Sequence, residues 1–381
     1  MKLFDLDKQY SAIKSDFWKR LKSILEKSDF ILGQEVKAFE EEFSRFCHCK
    51  YAIGVNSGTD ALFLSLKCLN IGLGDEVIIP AFSFIATSFA VSYTGAKPVF
   101  VDIDPKTYNI DPELIERAIT KKTKAIIPVH LFGLCAGMPK IQRIARKHGL
   151  YIIEDVAQAH GAKIKAKTAG SMGHFGCFSF YPTKNLSAFG DAGMITTNSK
   201  KYYKKLLQLR DCGRVKKRYE HVIIGYNSRL DNIQAAFLRL KLKHLSKWTS
   251  KRICNAKAYS WLLKDVKGVT TPFVPRGFKH AYHAYSILTN KRARLIKEFK
   301  ENNIASSIFY QIPLHLQKAN RFLGYKRGDF PISEKISKQI ISLPIHPSLS
   351  MKEILRTVSI IRKVHPPSPE TTGLPVEEGE K

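Results

Sequence analysis

No stretch of this chain stays apolar for the roughly 20 residues that a membrane-crossing helix needs, so no membrane insertion is expected. The first residues, MKLFDLDKQYSAIKSDF, also lack the apolar core of a secretory leader, and the expected location is cytoplasmic. Cysteine is sparse. The seven thiols are odd in number and scattered through expected helices and strands, which excludes a disulfide framework and points to reduced cysteines. Cys47, His48 and Cys49 adjoin one another, but no second pair stands at zinc-site spacing, and no metal is expected.

Acidic residues are also in short supply, 33 Asp and Glu against 62 Lys and Arg, for a formal charge of +29. The excess is spread along the chain, with short clusters at Lys121–Lys124 and Arg214–Arg218. It reads first as solvated surface and second as a field that draws in an anionic, phosphorylated substrate. No nucleic-acid-binding motif accompanies it, and no nucleic-acid partner is expected.

What the chain does contain, from about residue 50, is an alternation of short apolar runs and amphipathic stretches. That pattern predicts an α/β fold with a mostly parallel sheet flanked by helices. The runs at 51–55, 76–80, 97–103, 123–132, 151–157, 175–180 and 193–197 read as strands, several of them apolar enough to be covered on both faces. Helical periodicity appears at 59–69, at 112–120, at 138–149 with Gly149 as its stop, and over a long stretch at 230–263. Beyond Val266, a strand at 280–290, a helix at 293–303 and an extended return at 304–313 predict a smaller α+β domain. The expected organisation is an N-terminal arm and helix over 1–30, a large domain over 31–250, a small domain over 251–364 and a disordered tail from His365, where 17 residues include four prolines.

Three strand ends carry chemistry, as the C-terminal edges of such sheets do. Ser57, Gly58 and Thr59 follow one strand and open a helix, where small residues and free N–H groups suit a phosphate; an ordinary helix cap explains them equally. Asp155 ends an apolar strand and needs a cation, which a ligand, a helix cap or a salt bridge satisfies. Lys184 follows a third buried run, FSFYPTKNLSAFGDAG, where an amine of lowered pKa forms a Schiff base with a carbonyl. An amine for an aldehyde, an acid for a pyridinium nitrogen and a helix start for a phosphate are together the needs of pyridoxal 5′-phosphate.

The chain resembles the DegT/DnrJ/EryC1/StrS sugar-nucleotide aminotransferases over residues 3–360. The resemblance is carried by IPAFSFIATSFAV (79–91), KPVFVDIDPKTYNID (97–111), IIPVHLFG (126–133), IEDVAQAHGA (153–162), FSFYPTKNL (178–186) and GYNSRLDNIQAA (225–236). It implies the fold-type-I architecture of pyridoxal-phosphate enzymes, with a sheet of the seven-stranded type. It also implies Lys184 as the Schiff-base lysine and Asp155 as the partner of the ring nitrogen. Phe84 would stack on the ring, Gln158 would touch its face or hydroxyl, and Ser57, Gly58, Thr59 and Ser179 would hold the phosphate. Asn227 would reach across a homodimer to the neighbour's phosphate, making shared active sites. A nucleotide-linked keto-sugar is the implied substrate and L-glutamate the implied donor.

FYPTKNL, GDAG, HLFG and AQAHGA resemble the branch that aminates C-3 more than the C-4 branch. The product would be an amino sugar for a surface polysaccharide or a glycosylated metabolite. A related dehydratase would have histidine at position 184, and a regulatory homologue would have no use for Lys184, Asp155 and Gln158 together. Tyr310, His315 and Gln317 are substrate candidates, while Arg229 is suited to a donor carboxylate or to bracing the interface. Ser187 stands where the related motif has glycine. If that position required a positive φ, serine would cost about 1 kcal/mol or more.

Overall fold

The computed structural model describes residues 1–215 and 219–366. Its large sheet contains β1 (Tyr51–Val55), β2 (Glu76–Pro80), β3 (Lys97–Val101), β4 (Thr123–Ile126), β5 (Tyr151–Asp155), β6 (Phe175–Ser179) and β7 (Gly193–Thr197), in the spatial order β1-β7-β6-β5-β4-β2-β3. Only β7 runs against the rest. Alternate residues feed opposite layers. Ile78, Ile126, Ile152 and Phe178 face one core, whereas Val77, Ile79, Ile153 and Cys177 face the other.

The helices of the first half are α1 (Leu6–Ser11), α2 (Lys14–Lys27), α3 (Gln34–Cys47), α4 (Gly58–Cys68), α5 (Ala86–Ser92), α6 (Pro112–Ile115) and α7 (Met138–His148). Those of the second half are α8 (Lys200–Arg210), α9 (Asn232–Leu263), α10 (Arg292–Glu301), α11 (Pro331–Gln339) and α12 (Met351–Val364). On the first face α3, α7 and the start of α9 pack through Phe39, Phe43, Ile141, Ala235 and Leu238. The second face receives α4, α5 and α8 through Leu62, Leu64, Val91 and Leu206. The second half of α9 leaves this body and packs with α10 and α12 on a small antiparallel sheet of β8 (Val269–Thr270), β9 (Tyr285–Thr289) and β10 (Ile340–Leu343). The boundary expected at residue 250 thus falls inside one continuous helix.

Several expected elements differ for visible reasons. The strand expected at 280–290 is paired only over Tyr285–Thr289, because the N–H groups of Ala281 and His283 donate instead to Gly133 and Phe132 at 2.8 Å. Residues 304–313 do not form the return strand. Their backbone pairs with the sheet at the isolated Ser307–Ser342 bridge, and Leu314 N–H then donates to Ala81 O, carrying Phe309 and Tyr310 to the large domain. The missing strand is Ile340–Leu343. The helix expected at 112–120 is α6 followed by a single tight turn, Glu116–Ala118. His365, placed by expectation in the tail, is buried with Nε2 2.8 Å from Thr289 Oγ1; residues 367–381 lie outside those described, as do 216–218 of the Arg214–Arg218 cluster. All seven cysteines are free, and among the described residues no group of side chains is arranged to hold a metal.

The two acids that end β5 point to opposite faces. Glu154 is fully buried and accepts four hydrogen bonds: from Gly170 N–H (2.9 Å), Met172 N–H (2.7 Å), Gly173 N–H (2.6 Å) and His130 Nε2 (2.9 Å). His130 Nδ1 accepts from Ala136 N–H at 3.1 Å, so Nε2 carries the proton and donates. Glu154 therefore ties the 170–173 turn and the 130–136 turn to the strand that presents Asp155. Glu154→Ala, which strands three backbone donors in the core, is expected to cost about 3 kcal/mol or more, and Glu154→Gln about 1–3 kcal/mol, because one amide hydrogen pair then faces those donors. Urea unfolding of the apo protein measures both, and midpoints equal to the unsubstituted protein's would refute the role.

Candidate active site

The C-terminal ends of β1, β2, β4, β5 and β6 open into one cleft of about 340 Å³. Ser57, Gly58, Thr59, Phe84, Asp155, Gln158, Ser179, Lys184 and Tyr310 all line it. Those from 57 to 184 meet there because parallel strands deliver their loops to the same edge, and Tyr310 joins them through the segment that Leu314 N–H ties to Ala81 O.

At one end, Ser57 caps α4, and its Oγ accepts from Asp60 N–H at 3.0 Å. Gly58 follows at a point where a Cβ would lie 2.6 Å from Ser179 Cβ, and a Cβ on Gly193 would lie 2.3 Å from Ser57 O. The glycines keep this cradle open at the start of an eleven-residue helix, whose first N–H groups and dipole favour a dianion. Ser228 braces it from behind, accepting from Asn56 N–H and donating to Asp60 Oδ2 at 2.7 Å.

On the cleft floor the carboxylate of Asp155 accepts from Thr87 Oγ1 (2.8 Å) and Ala157 N–H (3.1 Å), one bond to each oxygen. Ser83 contacts Thr87 Oγ1 at 3.2 Å and fixes that hydroxyl. Burial raises the carboxyl's pKa, an effect opposed by these two hydrogen bonds and by the charge of Lys184. Each oxygen keeps a lone pair for one more donor, which suits the N–H of a protonated ring.

The Lys184 backbone N–H donates to Tyr181 O at 2.8 Å in the turn that follows β6. Among the described residues no carboxylate lies within ion-pair distance of its Nζ, and burial outweighs the attraction of Asp155 and lowers the amine to about 8. Gln158 is held at both ends: its Oε1 accepts from Phe132 N–H and its Nε2 donates to Tyr310 Oη, both at 2.8 Å. The Tyr310 ring lies 6.0 Å from Phe84 and 6.1 Å from Phe82, forming an apolar wall. An amine near its reactive state, a carboxylate with room for a ring N–H and a cradle that a Cβ would fill together fit pyridoxal 5′-phosphate.

Four candidates lie elsewhere, one of them Gln317, whose Nε2 donates to Ile312 O at 3.2 Å outside the cleft lining. Asn227 is exposed and absent from the cleft lining, although its neighbour Ser228 reaches the back of the cradle. Arg229 pairs with Asp211 at 3.0 Å, and the same carboxylate takes Arg214. His315 is buried 3.1 Å from Glu334 and against the Phe330 ring, away from the cleft lining. Sequence reasoning passed over Thr87, Ser83, Tyr181, Thr183, His283 and Phe309, all of which line the cleft. The first two stand in the IPAFSFIATSFAV stretch, where small polar residues just past a buried strand were the available signal.

The DegT/DnrJ/EryC1/StrS aminotransferase family matches residues 11–362. A pleiotropic regulatory protein of Geobacillus stearothermophilus is 46% identical over 353 residues, covering 92% of this chain and 95% of the relative. A UDP-N-acetyl-3-dehydro-α-D-glucosamine 3-aminotransferase of Acidithiobacillus ferrooxidans is 42% identical, covering 95% and 97%. The crystal structure of S. venezuelae DesV in complex with a ketimine intermediate superposes with a TM-score of 0.94 at 37% identity, covering 96% of this chain and 99% of that one. With its seven-stranded sheet, single reversed strand and cleft at the strand ends, the large domain has the fold-type-I architecture. The chain belongs to the DegT/DnrJ/EryC1/StrS aminotransferase family, and it is an aminotransferase that works with pyridoxal 5′-phosphate.

Proposed function

We propose that this aminotransferase moves an amino group from L-glutamate to C-3 of a nucleotide-linked keto-sugar, within a homodimer whose two active sites are shared. The observation that carries the reading is the pairing, in one cleft, of an amine lowered to about 8 with a carboxylate fixed by Thr87 and Ala157. C-3 is supported by the Acidithiobacillus relative and by several others whose names place an amino or a keto group there. The charge of +29 suits a substrate that carries a diphosphate.

When bound, the cofactor supplies a carbonyl for amines and a ring that withdraws electrons from the carbon losing its proton. The protein's part is to hold and move protons. Lys184 would hold the cofactor's carbonyl carbon and, once freed by the donor's amine, its Nζ would be the base that takes up and gives back the migrating proton, a transfer worth about 10²–10⁴-fold in rate. Asp155 keeps the ring nitrogen protonated, and its low-dielectric setting strengthens that contact. Gln158 and Tyr310 form a preset polar edge. Phe84 covers the ring, and the α4 cradle takes the phosphate. Because the keto-acid product leaves before the keto-sugar enters, the kinetics are ping-pong.

A screen of nucleotide-linked 3-keto and 4-keto sugars with glutamate and added cofactor, read by product mass, is expected to give an amino sugar from the 3-keto compounds. Products from 4-keto sugars alone would move the chemistry to C-4. No product at all from a cofactor-loaded protein would favour the regulatory role that the Geobacillus relative's name carries.

Borohydride is expected to fix the cofactor to Lys184, and Lys184→Ala is expected to lose turnover by about 10³-fold or more. The capture of pyridoxal phosphate by the apo protein should quicken about tenfold per pH unit below 8 and level off above it, following the neutral amine. The sign for stability runs the same way: the unfolded chain keeps this proton to about pH 10.5 and the folded one only to about 8, so across that window the apo protein gains stability as pH rises. Stopped-flow absorbance and pH-dependent unfolding check the two, and fixation on another lysine would refute the assignment.

Sharing of the site predicts complementation. Mixed Lys184→Ala and Asn227→Ala proteins, after subunit exchange, should regain activity, because one site of each hybrid then carries neither defect. If exchange is proven and the Asn227→Ala parent is impaired, absence of recovery would instead make Asn227 a residue of its own subunit.

A further inference from the structure

Ser187, three residues beyond Lys184, does not adopt a positive φ, so serine brings no backbone strain at this position. Its side chain has a specific partner. Ser187 is 1% exposed, and its Oγ accepts a hydrogen bond from Nζ of Lys241, which is itself 2% exposed on α9. Two aromatic rings flank that ammonium, with the Phe237 centroid at 5.2 Å and that of Trp248 at 5.9 Å. Among the described residues no carboxylate lies within ion-pair distance of it. Burial and the charge of Arg252 bring Lys241 down to about 7.

A cation so placed is an expensive way to fill a core, since an apolar side chain of similar volume avoids the loss of hydration. Its value lies in what it holds. Seven residues earlier on the same face of α9, Gln234 Oε1 accepts from Phe189 N–H at 2.8 Å, so two side chains of one helix grip the loop that follows Lys184. Eleven residues, or three turns, beyond Lys241, Arg252 donates to the carbonyls of Tyr282 and Ile345, and the residue after Tyr282 is His283 of the cleft wall. One helix thus braces both the floor and a wall of the cleft.

The chemistry of the contact also suits its place. A hydroxyl accepts from an ammonium and donates to a neutral amine, so the Ser187–Lys241 link persists whichever way the lysine titrates near neutral pH. An aspartate at 187 would hold the ammonium more firmly. It would also put a negative charge three residues from Lys184 and favour the charged, unreactive form of that amine.

We propose that Lys241, acting through the Ser187 hydroxyl, is a positioning residue that sets the height and direction of the Lys184 side chain in the cleft. This rests on the reading of Lys184 as the residue that carries the cofactor.

The test uses cofactor-loaded protein and the variants Ser187→Ala, Lys241→Met and the two combined. The readouts are the pH midpoint of the visible band of Lys184-bound cofactor, and the rate and donor affinity of the half-reaction with glutamate. Each single variant is expected to move the midpoint and to slow the half-reaction about tenfold at saturating donor, with donor affinity changed less than about twofold, as for a displaced reacting group. The combined variant is expected to be no slower than Lys241→Met, since both changes break one link.

An unmoved midpoint, together with single effects that simply multiply in the combined variant, would overturn the proposal. Ser187→Ala removes one buried oxygen, so should Lys241→Met fail to fold, an unchanged midpoint and rate in Ser187→Ala alone would overturn it. Failure of the unsubstituted protein to yield a borohydride-fixed cofactor on Lys184 would overturn instead the reading on which it rests.

Discussion

Desolvation is the constraint on which this cleft depends. Lys184 and Asp155 have opposite charges and face the same cavity, yet burial outweighs their attraction at both ends: the amine gives up its proton more readily and the carboxyl holds one more tightly. In water the same pair would be a spectator ammonium and a spectator carboxylate. The apolar wall of Phe82, Phe84 and Tyr310 maintains that imbalance, while the hydrogen bonds from Thr87 and Ala157 hold the carboxylate in place and partly offset the rise of its pKa. The amine stays available as a nucleophile and base, and the acid gains most when a ring N–H⁺ arrives.

Such a pair needs rigid support, and β5 supplies it by alternation. Consecutive acids at the end of one strand face opposite sides of the sheet, so Glu154 is spent on four hydrogen bonds in the core while Asp155 is left to the cleft. The same alternation lets one face of the sheet carry α3 and α7 and the other carry α4, whose start is the proposed phosphate cradle. Fold and site are therefore set by one register. A slip of one residue along β5 would exchange the two acids and bury the reactive one.

The sequence made much of this legible because the large domain is built from strands covered on both sides, which appear as apolar runs, with chemistry concentrated just past their ends. Ser57 to Thr59, Asp155 and Lys184 stand out by that logic. The small domain was harder to read. IASSIFYQIP looks like a strand because its apolar residues are needed elsewhere: Phe309 and Tyr310 wall the cleft, and Leu314 N–H is bonded to Ala81. HAYHAY looks like one for a similar reason, its donors being committed to the turn at Phe132 and Gly133. Local pattern reports apolarity and does not report the partner. Thr87 went unread because a hydroxyl's value depends on the single oxygen it meets, and that oxygen is 68 residues away.

The rim of the cleft poses a different physical problem. Phe84 is 53% exposed and Tyr181 is 51% exposed in the single chain, although both line the cleft. A ring that is to stack on a cofactor gains little from the contact while its other surroundings remain water, because the electrostatic advantage of the floor decays as solvent enters. A site closed entirely by its own chain would need a further segment over these rings, whereas α12, the last described helix, is committed to the small sheet and to α9. The proposed homodimer meets the need at low cost in sequence. Asn227 lies exposed beside the cradle, next to Ser228, whose hydroxyl is tied to Asn56 and Asp60, and under the proposed two-fold symmetry each subunit offers the other the same polar group. Dry chemistry at Lys184 then becomes a property of the pair of subunits, and dissociation would lower activity by wetting the floor as well as by removing a phosphate contact.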